Sequence, residues 1–270
     1  MAKIKLNIRQ DDEIDLDVHQ FNHYADIVEI QSWAELLECY LTLKQDVYPK
    51  KVFLVLDDRA QAEYTSMHAQ LGDQLYFDDS QYFEGIEDLG SQDSRLIETN
   101  IVTPLLFQHH VQQLSNSDHQ RSFESVAGKM QHYDESDLDA LVYFNQQLLI
   151  SRNTEMMVKV ATVETEALKL AMLPNGYFSC DFDPFENYAL IQKMQHYGFE
   201  FIGLGAALLG WIKTSDFNAE KMDDLMQDIA LIYPLEFRHQ EQLKALILKN
   251  DYLILPYSES PQEYLGYDLS

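Results

Sequence analysis

FEFIGLGAALLGWIK, residues Phe199–Lys213, is apolar along almost its whole length and changes character only at the small residues Gly205, Ala206 and Ala207. Two strand-length apolar runs on either side of a small-residue turn predict a buried strand, a tight turn and a returning strand. The glycines do not make a phosphate loop. Gly203 and Gly205 give GxG, but Leu208 stands where GxGxxG needs its third glycine, and no GxxxxGK[ST] is present. Close strand packing or a hairpin turn accounts for them.

The pattern extends outward from that hairpin. Upstream, Asp183-Pro184-Phe185-Glu186 carries an acidic cap, proline at the first helical position and Glu three residues after the cap. It predicts a helix to Tyr197, stopped by Gly198. Before it, Pro174-Asn175-Gly176 reads as a turn and Tyr177–Phe182 as a short strand. Residues 155–173 leave open a strand over Met156–Val163 and a helix over Glu164–Met172. Downstream, Met222, Leu225, Met226, Ile229 and Ile232 share one helical face, Pro234 separates a helix over about 237–249, and Tyr252–Leu255 reads as a last strand.

The first part of the chain uses the same vocabulary. Residues 3–8 and 13–18 alternate apolar and polar, predicting a β-hairpin with its turn at Arg9–Asp12. Ser32 with Glu35 has capping-box spacing and opens a helix that Pro49 ends. Val52–Leu56 is apolar on both faces, as a central strand should be, and closes on Asp57-Asp58. Residues 59–71 read as a helix. Thr103-Pro104 reads as a cap and first position of a helix to about Leu114. Residues 115–131 are polar and mixed, and Ser136–Ile150 is a long helix. Strands and helices alternate irregularly and hairpins recur, which predicts an α+β (mixed α/β) fold. The expected division is an N-terminal subdomain over 1–115, a linker or excursion over 116–132 and a C-terminal subdomain over 133–270. Each would carry a small, mostly antiparallel or mixed sheet flanked by helices.

Composition sets the limits of function. The 270 residues are 46% hydrophobic, with 45 Asp and Glu against 19 Lys and Arg, for a net charge of −26. The charge is spread evenly: residues 1–132 hold 23 acids and 10 bases, and 133–270 hold 22 and 9, so each part is −13. DNA, RNA and anionic lipid attract Lys and Arg patches and repel such a chain. No apolar run of membrane-spanning length and no signal peptide is read, so the expected location is cytoplasmic, in a bacterial-type protein. The two cysteines, Cys39 and Cys180, form no CxxC pair.

Catalytic constellations are sparse, and no cofactor or metal is implied. Asp57-Asp58 ends a buried strand, a place suited to Mg²⁺, although Asp58 equally suits a helix cap. His109-His110 are adjacent rather than four apart, and His19, His23 and Asp26 lack a third partner of metal-site spacing. No GxSxG elbow is present. Cys180 lies beside Asp181 and Asp183, whose charge raises a thiol pKa.

The distinctive stretch is 72–100, with eight acids, one base (Arg95) and interleaved aromatics. Its candidate partner-binding residues are Asp73, Tyr76, Phe77, Asp78, Asp79, Tyr82, Phe83, Glu84, Glu87 and Asp88, with the acids at 11–17 and the tail near Tyr264, Tyr267 and Asp268 as extensions. Aromatics anchor interfaces and carboxylates steer basic partners. The expectation is a non-catalytic acidic protein-binding module, most concretely an immunity or inhibitor protein covering a basic, nuclease-like toxin. The alternatives are an enzyme with a divergent acidic metal site at Asp57 and Asp58, or a structural or regulatory homo-oligomer joined through 199–212 or the tail.

Overall fold

A computed structural model describes residues 1–7, 21–72, 74–148 and 155–265. Along them run β1 (Lys3–Leu6), β2 (His23–Val28), α1 (Trp33–Asp46), β3 (Lys51–Leu54), α2 (Arg59–Ala69), α3 (Gln92–Ile97), α4 (Thr103–Ser115), α5 (Phe123–Val126), α6 (Glu135–Gln146), β4 (Glu155–Ala161), α7 (Pro184–Gln195), β5 (Phe199–Leu204), β6 (Leu208–Lys213), α8 (Met222–Ile232), α9 (Phe237–Lys249) and β7 (Tyr252–Pro256). The strands form one seven-stranded open sheet in the order β1-β2-β4-β3-β5-β6-β7. Every neighbouring pair is antiparallel except β3 and β5, which meet in parallel at Leu54 and Gly203. The fold is α+β.

Alternation along the central strands explains why the sheet is buried on both faces. Phe53, Leu209, Trp211, Leu253 and Leu255 point into one core with α7, α8 and α9. Val52, Leu54, Leu208, Ile212 and Ile254 point into the other, with α1. The hairpin read at 199–213 is β5–β6. Its strands are wholly interior, so 199–212 offers no surface for self-association. The helix start at Asp183 holds as a full capping box: the Asp183 carboxylate accepts from the Phe185 and Glu186 amides, and Glu186 accepts from the Asp183 amide.

Several expectations are corrected. β1 pairs with β2 at residues 23–28, and the expected return strand 13–18 lies outside the described residues. Tyr177–Phe182 is not a strand: it is an irregular connection pinned by a hydrogen bond from the Phe182 amide to the Tyr257 carbonyl. Thr103 is no cap. The helix begins at Gln92, where Ser91 caps it, and a π turn over Glu98–Val102 leads into α4. That wide turn lets a helix pass Pro104, which has no amide to donate and whose ring crowds the carbonyl four residues back.

Two subdomain sheets were expected, and both parts of the chain contribute to one sheet, with β4 between β2 and β3. The stretch 116–132 is not a free linker. Val126 and Met130 are fully buried, and the Gly128 amide donates to the Leu231 carbonyl at 2.6 Å.

Candidate functional site

Asp57 follows β3 and is almost completely buried. Its Oδ1 accepts from the Ala206 amide, and its Oδ2 from the Ala207 and Leu208 amides at 3.1 and 3.0 Å. The carboxylate therefore fastens the β5–β6 turn from below. Gly205 is required there, because a Cβ would sit 2.1 Å from Asp57 Oδ1. Burial pushes the pKa of Asp57 up to about 7, against the pull of its three amide donors. Asp58 caps α2, accepting from the Gln61 amide at 3.0 Å. Asp57 and Asp58 thus hold backbone, and no group of three His, Cys, Asp or Glu among the described residues is placed to share a metal ion.

The other candidate groups do not converge on a site. His109 packs against Phe77 with its ring tilted and the centroids 5.5 Å apart. Burial lowers the pKa of His110 to about 4, keeping it neutral. His23 bonds to Asp26 and Asn7, and His19 lies outside the described residues. A hydrogen bond to Glu259 raises the pKa of the exposed Cys180 thiol, which disfavours a reactive thiolate.

The segment 74–90 is a folded surface loop. Asp78 accepts from the Ser80 amide at 3.1 Å, and Asp88 accepts from the Gly90 amide at 2.8 Å. Tyr76, Asp78, Glu84, Glu87 and Asp88 are exposed, whereas Phe77, Asp79, Tyr82 and Phe83 are half-buried. Phe77 and Tyr82 stack on each other. Four of the acids thus face solvent while these aromatics serve mainly to hold the loop, leaving Tyr76 as its exposed ring. Asp73 lies outside the described residues.

Beyond the carboxyl ends of the parallel strands β3 and β5, the usual place for a ligand crevice in such sheets, is a cleft of about 710 Å³. Asp58, Asp181, Glu259 and Glu263 line it with Gln61, Thr65, Phe178, Ser258, Ser260 and Tyr264, and no Lys or Arg does. Asp181 is buried and accepts from the Glu259 amide at 3.1 Å. Burial, reinforced by the charge of Glu259, pushes its pKa up to about 7, although Lys129 opposes the shift. An additional cation there would be favoured by every carboxylate in the wall.

An aromatic ridge borders the cleft. Phe178 lies against Tyr177, Tyr177 against His68, and His68 against Tyr64, with centroids 5.3, 4.8 and 4.5 Å apart. On its far side is a groove of about 440 Å³ walled by His68, Leu71, Gln74, Leu75, Tyr177 and Phe185. Gln74 and Leu75 are the root of the acidic loop, so loop, groove, ridge and cleft are successive parts of one face. Sequence reasoning found the loop and Tyr264 but missed Asp181, Glu259, Glu263 and the ridge. The readable signal was α2, whose bulky side chains fall on the opposite side from its small ones. No family model, curated protein or solved structure matches the chain.

Proposed function

We propose that the chain is a non-catalytic acidic module that binds a basic protein, in its most concrete form an immunity or inhibitor protein covering a nuclease-like partner. The observation that carries this reading is the cleft lined by four carboxylates and no base, with a loop that turns four more acids to solvent beyond the neighbouring groove. A net charge of −26 accelerates encounter with a cationic surface, and the two acidic features select orientation. The same field repels nucleic acid and anionic membrane. No described helix is long and apolar enough to cross a membrane.

Steering by exposed carboxylates has a kinetic signature. Alanine at Asp78, Asp79, Glu87 and Asp88 together is expected to slow association with the basic partner by about tenfold at low salt, with little change in dissociation. Stopped-flow or surface-plasmon measurements check this. An unchanged association rate would remove the loop from the account.

A further inference from the structure

We propose that the groove between α2 and the 176–185 connection receives an apolar side chain of the partner, while the adjoining acidic cleft receives an arginine or lysine from the same segment. This rests on the protein-binding reading above and names the recognition element it would use.

The argument begins with α2, which is built inside out. Its buried positions are Ala62, Thr65, Ser66 and Ala69. Its large side chains, Tyr64 and Met67, face solvent, and Leu71 just past its end is 63% exposed. A helix on a sheet ordinarily turns its bulky apolar residues inward. Small inward residues let α2 lie close to the core, and His68 near its end, with Leu71 just past it, forms one wall of a groove. Tyr177, about half exposed, and Phe185 line the other wall. Contiguous exposed apolar surface of this kind marks an interaction site more often than it occurs by chance. The groove's volume of about 440 Å³ lies in the range of about 300–1,000 Å³ typical of sites that seat a ligand group.

Charge identifies the occupant. Asp183 lies in the groove wall, and the cleft behind Phe178 is walled by Asp58, Asp181, Glu259 and Glu263. Neither wall contains Lys or Arg. A second copy of this chain would bring another −26 to the same face, whereas a cationic segment is drawn to it. The ridge between the two cavities also presents ring faces to a guanidinium crossing it. The fitting segment therefore has an aromatic or long aliphatic anchor flanked by arginine or lysine.

The test uses the full chain and three end-blocked tripeptides: Arg-Trp-Arg, Arg-Ala-Arg and Glu-Trp-Glu. Binding is followed by NMR through the His68 ring protons at low salt. Arg-Trp-Arg is expected to shift these signals and to bind about fivefold or more tighter than Arg-Ala-Arg, because one aromatic anchor is buried. Tyr177→Ala and Leu71→Ser, both at exposed positions, should abolish that advantage while leaving circular dichroism unchanged. Glu-Trp-Glu should leave the signals in place. Equal binding of the two arginine peptides, with His68 unmoved, would overturn the groove while leaving the acidic-surface reading standing. Failure of both arginine peptides to bind would overturn both. A concentration-dependent dimer that Tyr177→Ala dissociates would make a second copy the occupant and also overturn the proposal.

Discussion

Asp57 shows how one side chain can look functional in sequence and be structural in space. It ends a central strand, as many metal-binding carboxylates do, yet both oxygens are taken by amides of a turn about 150 residues away. Nothing local in VFLVLDD reveals that partner. Asp57→Asn would set an amide NH₂ against backbone donors, leaving one of them buried and unpaired. The expected loss is about 2 kcal/mol or more of unfolding free energy, measurable by urea denaturation. A loss near zero would mean that the turn is held by its own geometry. Asp181 is tested through pH. Its pKa is pushed from 3.8 to about 7 in the folded chain, so between those values the native state keeps a proton that the unfolded chain has released. The stability this supplies is fully present below about pH 4 and is lost as the pH rises through 7. Asp181→Asn keeps an acceptor for the Glu259 amide and removes the titration. Wild type should lose stability relative to this variant between about pH 4 and 7, by up to about 1.4 kcal/mol per pH unit, and level off above. Parallel curves would show that Asp181 titrates normally.

At the scale of elements, what was legible was whatever local chemistry settles. The β5–β6 hairpin, the capped start of α7 and the β3 strand each carry their cause within a few residues. The helix at 92–97 was hidden because Thr103-Pro104 resembles a helix start, and only the π turn before it shows a helix running on. The reading of 177–182 as a strand failed because Tyr177 and Phe178 turn to solvent while Asp181 and Phe182 are buried, so the segment has no sheet-like alternation. Gly203 illustrates the remaining kind of cause, close approach between distant segments. A Cβ there would lie 2.0 Å from the Leu54 carbonyl oxygen, at the parallel junction that joins the two parts of the sheet. Gly203→Ala is expected to force the strands apart and cost about 3 kcal/mol or more. A thermal or urea transition within about 0.5 kcal/mol of wild type would contradict the tight packing assigned to this junction.

For the molecule as a whole, the α+β class was readable from the irregular order of elements, while the strand order was not. β2 pairs with β4 across a separation such as His23 to Lys159, and local periodicity has no access to such pairings. The candidate site is likewise assembled from residues near 58–75, 177–183 and 258–264. The acidic loop was visible because its charge is contiguous, whereas the cleft draws carboxylates from three segments of an evenly acidic chain. Its architecture predicts binding that is strongly salt-dependent and directed to one face. The most direct measurement is capture from an extract of the source organism at low salt, with a salt-gradient elution read by mass spectrometry. Wild type and the Glu259→Lys/Glu263→Lys variant, altered at two exposed positions, are run side by side. The account predicts one basic protein eluting sharply from wild type and depleted about tenfold or more on the variant. An empty wild-type eluate, or the same protein retained equally by both, would contradict it.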